Sequence, residues 1–192
     1  MIAIVKYNAG NATSVKHCLT RLGFESVTTD EEAVLRSADK VIFPGVGEAG
    51  SAMRYLKEKG LDTFIPQLTQ PVLGICLGMQ LMCQHSEEGD TTALGIFEHE
   101  VKHFPSGEPV PHMGWNNLTE LKDPLFKDIT PDQDFYFVHS YYASADANTA
   151  AVCEYMLPFS AALQKDNFYG VQFHPEKSGK AGEQLLHNFL NL

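Results

Sequence analysis

The chain has 192 residues, of which 44% are hydrophobic and 20% charged, and these proportions are typical of a globular protein rather than of a disordered one. The formal net charge is −10, and no cluster of lysine or arginine is present, which argues against nucleic acid and anionic membranes as partners. No apolar run approaches the roughly 20 residues of a membrane span. We therefore expect a single domain over residues 1–192 with no nucleic-acid or membrane partner.

The start of the chain and the use of cysteine predict a cytoplasmic location. Residues 1–6 lack the charged start and the long apolar stretch of a secretory signal. The four cysteines, Cys18, Cys76, Cys83 and Cys153, are spread without the spacing of a disulfide framework. They are therefore predicted to be reduced thiols.

Apolar runs alternate with amphipathic segments in the first half of the chain. The predicted strands are Ile2-Val5, Phe24-Thr28, Lys40-Phe43 and Val72-Ile75. The predicted helices lie near Thr13-Leu22, Glu31-Ser37, Ser51-Glu58 and Asp62-Leu68. Strands that alternate with helices indicate βαβ units and a parallel sheet with right-handed crossovers.

After about residue 92 the pattern changes to shorter, β-like runs. The predicted strands there are Gly95-Phe104, Phe135-Val138, Ala150-Tyr155, Phe159-Gln164 and Tyr169-Phe173. Asp166-Asn167 is predicted to form a hairpin turn, and a final helix is expected from about Ala181 to Leu190. The fold class is thus α/β, with a largely parallel central sheet, flanking helices and an antiparallel extension in the second half.

The most informative segment is Gly74-Ile75-Cys76-Leu77-Gly78, which places a cysteine in a Gly-x-nucleophile-x-Gly frame after an apolar run. The glycines permit a sharp turn from strand to helix that exposes the nucleophile at the sheet edge. Far downstream, His174 and Glu176 are two positions apart after another apolar run, so on extended backbone they point the same way. We predict a triad in which Glu176 orients His174 and His174 acts as the base for Cys76. The alternative, a small buried cysteine in a glycine-flanked turn, is disfavoured by the downstream pair.

A triad of this kind also needs donors for the oxyanion that forms during amide attack. The N–H of Leu77 follows the nucleophile directly. Pro44-Gly45-Val46-Gly47 ends another predicted strand, and its Val46 or Gly47 N–H is the expected second donor.

A metal site is the main chemical alternative. His99-Glu100-Val101-Lys102-His103 satisfies the His-Glu-x-x-His pattern of zinc peptidases. Gly95 and Pro105 restrict any helix there, and the alternation of the segment favours a strand. A site that recruits Glu120 is left open, but we predict no metal and no cofactor. The loop Asn8-Ala9-Gly10-Asn11 suggests helix entry and capping, with anion binding as the alternative.

Gly74 to Gln80, together with His174-Pro175-Glu176, closely resembles the triad-type class I glutamine amidotransferases over essentially the whole chain. Three further segments resemble the glutaminase subunits of imidazole glycerol phosphate synthase within that family. They are Pro44-Gly47, Pro111-His112-Met113-Gly114-Trp115-Asn116 and Phe137-Val138-His139-Ser140-Tyr141.

The resemblance implies a flavodoxin-like fold and hydrolysis of L-glutamine to glutamate and ammonia through a glutamyl thioester. By motif match, the side chains of Gln80 and Glu88 grip glutamine, and backbone groups of Gly78, Ser140 and Tyr141 line the same pocket. The resemblance also implies a (β/α)8-barrel cyclase partner that receives the ammonia in histidine biosynthesis. Activity in such subunits is weak until the partner is bound, and the Val46-Gly47 segment is the expected switch.

Two other functions remain open. The chain can be the glutaminase subunit of another synthase, for pyridoxal phosphate, anthranilate or guanylate. It can also be a non-catalytic scaffold that keeps the motif and only binds a partner, although the intact triad argues against this.

Overall fold

A computed structural model describes residues 1–8 and 10–192 of the chain. In the first half the elements are β1 (Ile2–Val5), α1 (Ala12–Arg21), β2 (Ser26–Thr29), α2 (Glu32–Ser37), β3 (Lys40–Phe43), α3 (Ala49–Glu58), α4 (Leu61–Phe64), a 3-10 helix (Ile65–Gln67), β4 (Val72–Ile75), α5 (Leu77–Met82), β5 (His85–Ser86) and β6 (Thr91–Thr92). The second half has β7 (Glu100–His103), β8 (His112–Asn117), β9 (Asp134–His139), β10 (Tyr141–Ala143), β11 (Thr149–Tyr155), β12 (Leu157–Lys165), β13 (Phe168–Val171), a 3-10 helix (Pro175–Lys177) and α6 (Gly179–Leu190).

The central sheet has seven strands in the order β11-β12-β13-β4-β3-β1-β2. The five strands from β13 to β2 are parallel to one another, whereas β12 pairs antiparallel with both β11 and β13. The hairpin between β12 and β13 turns at Asp166, whose φ is 53°. The predicted fold class, a largely parallel sheet with an antiparallel extension, is confirmed.

Helices cover both faces of this sheet and give the chain two hydrophobic clusters. Ile4 of β1 packs with residues of α1 and α6 on one face, while its neighbours Ala3 and Val5 pack with α3 and α4 on the other. Such alternation is expected for strands that are buried on both faces. Helix α1 ends at Arg21, and Gly23, two residues later, has a φ of 85°, the left-handed conformation that glycine favours after a helix.

Two small sheets accompany the central sheet. One has the order β10-β7-β5-β6, and the other is the antiparallel pair β8-β9. Strands β5, β6, β8 and β10 were not predicted, and β13 ends at Val171 rather than at Phe173. Within the described residues, no helix is both long and apolar enough to cross a membrane.

Candidate active site

The turn at Cys76 joins β4 directly to α5, as the glycine frame predicts. Cys76 has φ 52° and ψ −110°, a conformation that L-residues rarely adopt and that is typical of a nucleophile held on a sharp turn. A Cβ on Gly74 would lie 2.8 Å from the backbone nitrogen of Met79, and one on Gly78 would clash with the Phe43 carbonyl. Both glycines are therefore needed for the close approach of strand and helix.

His174 and Glu176 form the predicted pair, although not on extended backbone. His174 Nδ1 lies 2.9 Å from Glu176 Oε1, and both side chains are fully buried. Glu176 belongs to the 3-10 helix Pro175–Lys177, so the expectation of one extended segment is wrong. The turn of this helix brings the carboxylate back to the imidazole. The backbone N–H of His174 donates to the Tyr136 carbonyl at 2.9 Å.

The electrostatics of the pair favour a charged imidazole. Burial by itself lowers the pKa of His174, but hydrogen bonding and charge from Cys76 and Glu176 outweigh it and raise this pKa to about 9. Burial likewise opposes ionisation of Glu176, yet His174 and Asn11 bring its pKa below the ordinary value. His174 Nε2 has no hydrogen-bond partner among the described residues. This nitrogen is therefore available for proton transfer.

Asn11 is a member of the site that sequence reasoning missed. Its Nδ2 donates to Glu176 Oε1 at 2.8 Å and lies 3.4 Å from His174 Nδ1. The residue has φ 81° and makes no side-chain cap on α1, so the expected capping role is wrong for Asn11. Ala9, in the same predicted loop, lies outside the described residues. No sequence signal connects Asn11 to a carboxylate 165 positions away.

Asn11→Ala is expected to lower kcat for glutamine hydrolysis about tenfold with little change in KM. The reason is that a hydrogen bond to a charged group contributes about 1.5 kcal/mol or more, and this one holds Glu176 rather than glutamine. Steady-state kinetics of the partner-bound chain measure the effect. Asn8→Ala is the matched control, since Asn8 is exposed and bonds the Ser51 carbonyl. A KM effect alone would assign Asn11 to substrate binding instead.

The predicted oxyanion donors do not converge in this structure. The Leu77 N–H donates to the Gly45 carbonyl at 3.3 Å, and the Val46 carbonyl accepts from the Gly10 N–H at 3.1 Å. The Gly45-Val46 peptide is trans, so its N–H points away from Leu77. Rotation of this one peptide would move the Gly45 oxygen away from the Leu77 N–H and turn the Val46 N–H toward the space beside Cys76. The rotation changes ψ of Gly45 and φ of Val46, and Gly47, at φ 141°, follows directly.

A cavity of about 300 Å³ opens beside Cys76 and collects most of the predicted substrate residues. Its walls include Val46, Gly47, Cys76, Leu77, Gln80, Glu88, Ser140 and Tyr141. Gly78 does not line the cavity, because it packs against Phe43. Burial raises the pKa of Glu88, whose Oε2 accepts from the Ala49 N–H at 2.9 Å.

Gln80 is buried and its amide nitrogen is already engaged. Its Nε2 donates to the Tyr141 carbonyl and to Gln172 Oε1, both at 2.9 Å. Gln172 Nε2 in turn lies 3.7 Å from Cys76 Sγ. Gln172 was not predicted, although its place two residues before His174 is a signal that could have drawn attention to it.

His112, His139 and the three other cysteines are buried packing groups. His112 Nδ1 lies 3.0 Å from His139 Nε2, and burial lowers the pKa of His112 to about 4 and that of His139 to about 3. Cys18, Cys83 and Cys153 are free and buried, and burial raises the pKa of all three thiols.

The His-Glu-x-x-His segment is not helical. Residues 100–103 form β7, His99 Nε2 lies 2.9 Å from Asp146 Oδ1, and His103 Nδ1 bonds the Phe104 carbonyl at 2.7 Å. Among the described residues, no group of three or more His, Cys, Asp or Glu side chains could hold a metal ion.

The family model described as glutamine amidotransferase class-I matches residues 4–192. The chain belongs to this family. HisH subunits of imidazole glycerol phosphate synthase are similar over the full chain, with 60% identity for Bacteroides fragilis and 57% for Bacteroides thetaiotaomicron, each covering 100% of this chain and 99% of the relative. The HisH subunit of Pasteurella multocida is 49% identical over 98% of this chain and 96% of its own. The predicted resemblance is confirmed.

Solved structures support the fold independently of sequence. A glutamine amidotransferase superposes with a TM-score of 0.76 at 18% identity and covers 100% of this chain and 98% of its own. PurLQS from Thermotoga maritima gives a TM-score of 0.73 at 19% identity, with 99% and 97% covered. At such identities the likeness speaks for the fold alone.

Proposed function

We propose that this chain is the glutaminase subunit of imidazole glycerol phosphate synthase and acts in histidine biosynthesis. The observation that carries the proposal is the buried His174–Glu176 pair beside a cysteine held at φ 52° on the cavity wall. The full-length similarity to HisH subunits supports the choice of this synthase over those for pyridoxal phosphate, anthranilate or guanylate.

In the proposed reaction, Cys76 attacks the side-chain amide carbon of L-glutamine. His174 protonates the departing nitrogen, and ammonia leaves behind a γ-glutamyl thioester. His174 then takes a proton from water, which attacks the thioester and releases glutamate and the thiolate. Glu176 holds the imidazole in the required orientation and stabilises its charge. No metal or cofactor takes part.

The cavity walls suit the α-amino and amide groups of glutamine. The amide nitrogen of Gln80 is engaged with protein acceptors, so its Oε1 is the group left to accept an N–H of the substrate. Glu88 adds a carboxyl group that attracts the substrate ammonium when ionised. Backbone groups of Ser140 and Tyr141 complete the wall.

The expected switch was the Val46-Gly47 segment, and the unit that we propose to rotate is the adjoining peptide between Gly45 and Val46. In the observed state its carbonyl accepts the hydrogen bond of the Leu77 N–H. The Leu77 and Val46 N–H groups therefore do not both face the position of an oxyanion. After rotation, the N–H groups of Val46 and Leu77 would both face the tetrahedral oxygen. Partner binding that favours the rotated state would therefore raise turnover without moving the triad.

The proposed partner is a (β/α)8-barrel cyclase, which uses the ammonia to form imidazole glycerol phosphate and aminoimidazole carboxamide ribonucleotide. On β8, Met113 is 63% exposed and Trp115 57% exposed, and Val46 at the cavity mouth is 36% exposed. Exposed large apolar side chains of this kind mark protein interfaces. We propose that the cyclase covers them, and that this single-domain chain works in the cytoplasm without nucleic-acid or membrane partners.

The test is glutamate release from glutamine by the purified chain, alone and with the cyclase plus its nucleotide ligand. We expect little activity alone and a large rise in the complex. Full activity alone would contradict the proposed switch. If no glutamate is released in either mixture although the cyclase is shown to bind, the proposed glutaminase activity would be contradicted and a scaffold role favoured.

A further inference from the structure

A short chain of buried amides connects the cavity wall to the nucleophile. The Tyr141 carbonyl accepts from Gln80 Nε2, Gln80 Nε2 also donates to Gln172 Oε1, and Gln172 Nε2 reaches Cys76 Sγ. Gln80 is 5% exposed and Gln172 is fully buried. Bulk water therefore does not compete with these contacts.

The direction of this chain is set by the backbone at its far end. A carbonyl oxygen only accepts, so the Gln80 atom facing Tyr141 must be the nitrogen. The same nitrogen gives its second hydrogen to Gln172, so the Gln172 atom facing Gln80 must be the oxygen. The nitrogen of Gln172 is then the atom left to face the sulfur. The network thus presents a donor, and not an acceptor, to Cys76.

We propose that Gln172 is a further catalytic residue whose amide N–H stabilises the Cys76 thiolate. Cys76 Sγ otherwise faces the Val138 carbonyl at 3.9 Å, which favours the protonated thiol as its donor. An N–H at 3.7 Å on the sulfur favours the ionised form. The same N–H assists thioester hydrolysis, because the sulfur then leaves as a thiolate.

This inference rests on the proposed glutaminase function but can be tested without turnover. Iodoacetamide alkylates thiolates, so the pH profile of alkylation reports the ionisation of Cys76 in the unliganded chain. A Cys76→Ala chain gives the background from the three other buried cysteines. Among the described residues, the titratable groups that interact electrostatically with Cys76 are His174 and Tyr7, and neither is altered in the variants below.

Two substitutions of Gln172 distinguish the effect of its amide N–H from the effect of its side-chain shape. Gln172→Met keeps the length and removes the donor, so we expect the half-maximal pH of alkylation to rise by about one unit, which is a tenfold loss of thiolate at lower pH. Gln172→Glu keeps the acceptor for Gln80 and places an oxygen against the sulfur, so the rise should be larger. Gln164→Met on β12 is the matched control and should leave the profile unchanged.

Glutamine turnover adds a second readout. In complex with the cyclase, we expect kcat/KM of Gln172→Met to fall about tenfold while ammonia-dependent synthesis stays at the wild-type rate. An unshifted alkylation profile in both Gln172 variants would overturn the inference even if turnover fell. A wild-type complex that releases no glutamate would instead overturn the proposed function, because the alkylation profile does not depend on it.

A measurement on the unaltered chain covers the case in which the variants do not fold. With 15N-labelled glutamine side chains, alkylation of Cys76 removes the thiolate and should shift the Gln172 amide resonance more than that of Gln164. Equal shifts, or none, would overturn the proposed contact.

Discussion

Replacement of Cys76 by alanine is expected to abolish glutamine-dependent synthesis by the complex while ammonia-dependent synthesis continues. Without the sulfur no thioester can form, and loss of a nucleophile of this kind costs about 10⁴-fold or more in kcat. Ammonia supplied in the medium bypasses the glutaminase, so the cyclase reaction needs only that the two chains remain associated. The two rates are measured side by side with glutamine or an ammonium salt as nitrogen source.

Cys83→Ala is the matched control for this prediction. Cys83 is also buried and lies just after α5, and its sulfur contacts the Met79 carbonyl rather than the triad. We expect this variant to keep glutamine-dependent synthesis. If Cys76→Ala abolished synthesis with both glutamine and ammonia, the assignment of glutamine hydrolysis and of synthesis to separate subunits would be contradicted.

Replacement of His174 by alanine is expected to lower glutamine hydrolysis about 10³-fold or more. The imidazole both protonates the leaving ammonia and activates water, so its removal affects formation and hydrolysis of the thioester. It also removes the cation that pairs with the fully buried carboxylate of Glu176. Rates are measured as glutamate release in the complex, with the exposed His17 replaced by alanine as the control. A variant that kept a tenth of wild-type turnover would show that His174 is not the base.

The raised pKa of His174 adds a pH profile to this prediction. Leaving-group protonation needs the imidazolium, which is present below a pKa of about 9 and is lost as the pH rises through it. We therefore expect kcat/KM for glutamine to decline above about pH 9. A plateau that continued past pH 10 would contradict this assignment.

Local patterns in the sequence were sufficient for the parallel part of the fold. The bounds of β1, β3 and β4 were predicted as they occur, because short apolar runs between helices are buried on both faces. Strand β8 was missed for the opposite reason. Met113 and Trp115 face outward, so the alternation that marks a half-buried strand has large apolar residues on its exposed side.

The turn at Cys76 and the His174–Glu176 pair could be predicted from the sequence because each has a local signature, and their catalytic roles remain predictions. Gly74 and Gly78 predict the turn at Cys76, and the spacing of His174 and Glu176 predicts their pairing. The cavity gathers Gln80, Glu88, Ser140 and Tyr141 as the family resemblance implied, and their contacts with glutamine remain predictions. Gly78 has a packing role that the motif match did not reveal.

The sequence by itself determined the fold class and the family and predicted the nucleophile and its partners, since these depend on residue types at short, fixed spacings. Only the tertiary structure decided how distant polar groups meet. The contacts of Asn11 with Glu176 and of Gln172 with Gln80 join parts of the chain 165 and 92 positions apart. The orientation of the Gly45-Val46 peptide is equally invisible in the sequence, because Gly45 allows both states and the bond from the Leu77 N–H to its carbonyl selects one.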